Sequence, residues 1–167
     1  MAASTKKRKA KQGGTPRDRS FGSIMPDGPS FWSMTPDSAM QQHPSWNFVA
    51  CDTEPSIQWS FCKDRLADDF WDTIFPKLQD FERMTLADIF IDGKKQNHGI
   101  DVASLSPLAK KRLDELHIEA ESLHSLRLGG KLRLYGILNG AVFSVIWYDD
   151  DHGDNSTCVC RSHMRHT

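Results

Sequence analysis

The chain has 167 residues, 38% of them hydrophobic and 26% charged, with 21 Lys and Arg against 22 Asp and Glu for a formal net charge of −1. That length fits one domain, and the near-neutral balance excludes a body that holds nucleic acid by bulk electrostatics alone. No apolar run is long enough for a signal peptide or a membrane span, so a cytoplasmic location with no membrane partner is expected.

The charge is unevenly spread. Residues 1–45 collect most of the prolines and show no apolar periodicity. Such a segment cannot bury enough apolar surface to offset the entropy of ordering it, so it reads as a disordered arm ahead of a domain over 46–167. Lys6-Lys7-Arg8-Lys9 with Lys11, Arg17 and Arg19 make the arm basic. That suits either a solvated tail or a nonspecific contact with nucleic acid or a partner. The domain keeps 14 Lys and Arg against 19 Asp and Glu, a net of −5, so nucleic acid could be met only at a local basic patch.

Trp46 to Asp52 and Ser56 to Cys62 are both β-prone, and the alternation of Ile57, Trp59 and Phe61 places the first strand over 57–61. Leu66, Phe70, Ile74 and Leu78 then recur every four residues, which predicts a helix over 64–81 with a kink or break at Pro76. Asp68, Asp69 and Asp72 near its start complement the helix dipole more naturally than they form a metal site. Thr85 to Ile91 predicts a short helical turn capped by Thr85, and Asp92 to Gly99 a loop. Ser106-Pro107 is a helix start, with a serine cap and proline at the first position, and Leu108, Leu113 and Leu116 stripe the helix over 107–116.

From Leu123 to His152 three β-prone stretches are separated by Gly129-Gly130 and Asn139-Gly140. Both pairs supply the positive φ that tight hairpins need, which predicts an antiparallel three-stranded meander. Leu126 and Leu128 oppose Ser125 and Arg127; Leu132 and Leu134 oppose Lys131, Arg133 and Tyr135. One face is therefore apolar and one polar. Val142 to Trp147 is apolar at nearly every position and should be the best buried strand. A strand, two helices and the meander make an α+β two-layer domain, with both helices across one apolar face of an antiparallel sheet.

Cys51, Cys62, Cys158 and Cys160 show no disulfide framework. The closing run Cys158-Val-Cys160-Arg-Ser-His163-Met-Arg-His166 offers four ligand types. Its Cys-x-Cys spacing is cramped, however, and almost no loop separates it from the histidines, unlike a structural zinc site. No metal and no cofactor are expected.

Leu126-Arg127-Leu128 leading into Lys131-Leu132-Arg133-Leu134-Tyr135, followed by Val142 to Tyr148, resembles the arginine-bearing strand and hydrophobic final strand of the RelE/ParE toxin superfamily. The similarity covers residues 57–163 and rests on element order plus this stretch. It implies the toxin of a toxin–antitoxin pair, with an antitoxin protein as partner. On the RelE side it implies an mRNA interferase, an endoribonuclease working on mRNA at the ribosome. On the ParE side it implies a non-catalytic binding module acting on a protein target such as gyrase. By position the resemblance gives Arg133, His152 and Tyr135 catalytic roles and places Arg127, Lys131 and Tyr148 against RNA. Tyr135, Tyr148 and His152 all compete for the proton-transfer role.

The chemistry is coherent. Attack of a ribose 2′-hydroxyl on phosphate needs a base, cationic donors and an acid. Arginine meets phosphate with a planar fork and remains charged, while histidine titrates near neutrality. Asp149, Asp150 and Asp151 just before His152 could orient its ring, yet would also repel a phosphate backbone. The competing readings are a solvated hairpin, a surface histidine, and Trp147 and Tyr148 as packing residues.

Overall fold

The computed structural model describes residues 36–153 and 158–160. The basic stretch from Lys6 to Arg19, together with His163 and His166, lies outside the described residues. Residues 36–40, counted above within the arm, form a short helix, α1 (Pro36–Met40).

The meander forms as expected: β3 (Ser122–Gly129), β4 (Leu132–Asn139) and β5 (Val142–Asp149) pair antiparallel in sequence. Gly130 and Gly140 take the first place of each two-residue turn with φ of 45° and 59°. Lys131 and Ala141, which follow, have no such conformation, an arrangement that matches right-twisted strands. The fold is α+β, with a five-stranded sheet in the order β1-β5-β4-β3-β2.

The outer strands are not those read from the sequence. β1 is Ser45–Asn47 and runs parallel to β5, so the sheet is mixed rather than wholly antiparallel. β2 is His98–Asp101, which begins in the last two residues of the expected loop, and pairs antiparallel with β3. Residues 57–61 form turns instead of a strand, held by Ile57 N–H to Glu54 C=O and Ser60 N–H to Ile57 C=O. The segment is still clipped to β5, because Tyr148 N–H donates to the Trp59 carbonyl at 2.8 Å. Trp59 packs on Trp147 on one side of the sheet while Phe61 joins the cluster on the other.

The helix expected over 64–81 is broken into three. α2 (Lys63–Leu66) stops at Ala67, whose φ is 40°. A π-helical turn over Phe70–Ile74 leads into α3 (Phe75–Glu82). Pro76 lies just past that π-helical turn, so the irregularity expected at the proline falls in the turn just ahead of it, and its missing N–H lies in the first turn of α3. The turn after Thr85 forms, with Asp88 accepting from the Thr85 amide and hydroxyl and the Thr85 hydroxyl accepting from the Asp88 amide. α4 (Pro107–Glu115) is capped by Ser106, whose Oγ accepts from the Ala109 amide at 3.2 Å.

The helices divide between both faces of the sheet, a correction to the two-layer stack. Leu78 and Phe81 of α3, with Ile74 and Ile89, pack on Leu126, Leu134, Phe143 and Tyr148. Ala109 and Leu113 of α4 cover the other face with Leu123, Tyr135 and Trp147, joined there by Cys158, Val159 and Cys160. A nearly all-apolar β5 is the pattern of a strand buried on two sides. On the α4 side Arg112 donates through Nε and a terminal nitrogen to both oxygens of Asp52 at 2.8 Å, and Trp147 Nε1 adds a bond of 3.1 Å. At the far edge Asn97 accepts from the Arg127 amide at 2.8 Å and donates to the Ile89 carbonyl at 3.2 Å.

Candidate functional site

Strand register builds the site. Arg127 lies directly across from Arg133, and Arg133 across from Asp149. Tyr135 and Trp147 form the next step along the same face. A bulge on β5 leaves Ile146 unopposed between the Tyr135–Trp147 and Gly136–Val145 pairs, which sets Asp149 rather than a neighbour beside Arg133.

Among the described residues neither Arg127 nor Arg133 forms an ion pair with a carboxylate. Both are half-buried. Arg133 donates to the carbonyls of Gly130 and Leu132 at 3.1 and 2.9 Å. Burial, and then the charge of Arg127, pull its pKa below the usual arginine value. Two guanidinium groups on paired positions thus form a cationic spot whose charge an anion would relieve.

Beyond Arg133 the polar groups draw together. The Tyr135 hydroxyl is 3.0 Å from His152 Nδ1, and Asp149 Oδ2 is 3.7 Å from the same nitrogen. Cys158 Sγ lies 3.6 Å from His152 Nδ1 and 3.4 Å from Cys160 Sγ. The Asp149 carboxylate is 2% exposed; Oδ1 accepts from the Asp151 amide, while Oδ2 accepts no hydrogen bond among the described residues. Burial, then the charges of Cys160, Asp149 and Cys158, push the Tyr135 phenol far up. The Cys158 thiol is raised by its hydrogen bond to Cys160 and by burial. The 158–160 segment is fixed to the head of α4: Ser106 N–H donates to the Val159 carbonyl at 2.9 Å, and Cys160 bridges to Leu105.

Of the six residues singled out by sequence, Arg127, Arg133, Tyr135 and His152 share this face. Tyr135 is fully buried behind the histidine rather than presented to solvent. Lys131 is ion-paired with Asp151 at the turn. Tyr148 sits on the opposite face, its hydroxyl donating to Asp69 at 3.0 Å, and cannot meet a ligand bound at the arginines. The aspartates repel less than their number suggests, since Asp150 pairs with Arg65 at 2.8 Å and Asp151 with Lys131. The sequence reading offered residues 149–151 as orienting groups for His152, and Asp149 is the one beside its ring, but it missed Cys158 and Cys160 as partners. The available signal was a histidine six residues ahead of a Cys-x-Cys pair. Among the described residues no helix is long and apolar enough to cross a membrane. No family model, curated protein or solved structure matches the chain.

Proposed function

We propose that the protein is the toxin of a toxin–antitoxin pair and an mRNA endoribonuclease that seats an RNA phosphate on Arg127 and Arg133. The observation that carries this reading is the directly opposed arginine pair, neither member of which is ion-paired with a carboxylate among the described residues, Asp149 across from Arg133 included. In the reaction, His152 takes the proton of a ribose 2′-hydroxyl as O2′ bonds to phosphorus, and returns a proton to the departing 5′-oxygen. The products are a 2′,3′-cyclic phosphate and a 5′-hydroxyl end. The arginines offset the charge gathering on the phosphoryl oxygens. Tyr135 acts as a positioning residue through its bond to Nδ1.

A second reading, a non-catalytic module whose arginines grip an acidic protein surface, is favoured by one observation: the His152 side chain is only 10% exposed. Induced expression followed by mapping of RNA ends separates the two. The enzyme reading expects growth arrest with new 5′-hydroxyl ends, both abolished by Arg127→Ala with Arg133→Ala in a folded protein. Arrest without cut RNA supports the binding module, and toxicity that survives loss of both arginines defeats both readings.

A further inference from the structure

We propose that His152, Cys158 and Cys160 form a binding site for a thiophilic divalent cation, zinc foremost. Their three ligand atoms all lie within 4.8 Å of one another. Two Zn–S bonds of about 2.3 Å at a tetrahedral angle hold their sulfurs about 3.8 Å apart, and a Zn–S and a Zn–N bond hold their ends about 3.5 Å apart. The chain already sets these separations at 3.4 Å between the sulfurs and 3.6 Å from Cys158 Sγ to His152 Nδ1. These two pairs need shifts of a few tenths of an ångström, while Cys160 Sγ and the His152 ring nitrogen, within 4.8 Å of each other, close by about 1 Å at most.

The donor set suits such an ion, since thiolate and imidazole are the ligands zinc prefers over calcium or magnesium. The ligands are held from different directions. Cys160 is tied by its bridge to Leu105, and the His152 amide donates to the Lys131 carbonyl. A second observation points the same way. Asp149 buries an acceptor oxygen that has no hydrogen bond among the described residues, 3.7 Å from Nδ1. It stands beside the ligating nitrogen itself rather than beside Nε2, so it supplies negative charge near a dication instead of the N–H acceptor that commonly orients a metal-bound histidine. Two thiolates balance the dication, and Asp149 then faces Arg133.

Binding replaces two S–H bonds by two metal–sulfur bonds and releases two protons to solvent, with no electron transferred. The Tyr135 hydroxyl must leave Nδ1 and donate instead to a thiolate or to a water in the fourth position. The site does not depend on the RNA reading. It does constrain that reading, because an ion on Nδ1 leaves His152 an N–H donor and removes it as a base.

The test uses the full chain, reduced and without a polyhistidine tag, titrated with cobalt(II) as a spectroscopic probe. The expected result is one equivalent bound, with a sulfur-to-cobalt charge-transfer band and tetrahedral d–d absorption. Zinc should displace the cobalt, and apparent affinity should rise about 100-fold per pH unit while both thiols are protonated. Cys158→Ser and Cys160→Ser should each lose the band, while Cys62→Ser, outside the cluster, keeps it. Should the serine variants misfold, X-ray absorption at the zinc edge of the unaltered protein decides, with two sulfurs and a nitrogen expected. A reduced, folded protein without the charge-transfer band, or a shell of nitrogen and oxygen alone, overturns the site.

Discussion

Two carboxylates lie buried on the α4 side of the sheet, and they are treated in opposite ways. Asp52, 1% exposed, accepts two bonds from Arg112, one from the Trp147 indole and one from the Glu54 amide. Asp149, 2% exposed, accepts only from the Asp151 amide, with His152 3.7 Å away. Removing the partner of a buried, fully bonded charge is costly, whereas a buried carboxylate left short of bonds is open to a further partner. The difference sets the Asp52 end of this face apart from the Asp149 end.

The largest expected effect tests that contrast directly. Asp52→Ala leaves the Trp147 N–H unpaired and Arg112 with Glu115 alone, and should cost about 3–5 kcal/mol, read as a lower denaturant midpoint. Asp149→Asn in metal-free protein should leave the midpoint unchanged or raise it. Equal losses from the two changes would erase the distinction.

Acid unfolding gives the same contrast a pH axis. Burial alone would raise the Asp52 pKa, but its bonds to Arg112, the Glu54 amide and Trp147 hold it below the usual carboxylate range. A depressed folded-state pKa gives stability that is complete above the unfolded value of about 3.9 and disappears as pH falls through the folded value. Asp52→Asn should accordingly flatten the acid limb of a stability-against-pH curve.

Next comes the bulge that serves both ends. A side chain on Gly136 would run into the Ser144 carbonyl and come within 2.6 Å of the Phe143 ring. Gly136→Ala should cost about 1–3 kcal/mol by thermal melting. Ser106→Ala removes the cap of the helix that carries Arg112 and should cost about 1 kcal/mol in the same measurement. Smallest is Arg127→Ala, whose stability should stay within about 0.5 kcal/mol of the parent while binding of single-stranded RNA, followed by fluorescence anisotropy, is lost.

What the sequence disclosed follows the range of the interactions involved. The hairpins were legible because Gly130 and Gly140 act within two residues of themselves, and the α4 start because Ser106 caps its own helix. From those turns the shared face of Arg127 and Arg133 could also be read. Trp46 gave no sign that β1 would run parallel to a strand about a hundred residues away, since local alternation does not name a distant partner. Ile57, Trp59 and Phe61 alternate like a strand, yet they split across the sheet because turns over 55–59 carry Trp59 under it. The unbroken apolar run of β5 already announced burial on two sides, but the coverings of the second face, α4 and residues 158–160, come from far along the chain. The grouping of His152 with two cysteines required that return and left only a spacing in the sequence.

Asn97 carries a last consequence. β2 pairs with β3 only over Ser122 to Ser125, and the next outward-facing amide of β3, that of Arg127, is taken by the Asn97 side chain. A strand from another molecule arriving at this border would have to displace an amide that is itself anchored to the Ile89 carbonyl. The border nearest the two arginines is thereby guarded against lateral pairing at the Arg127 amide, where an added strand would lose one bond for each it made.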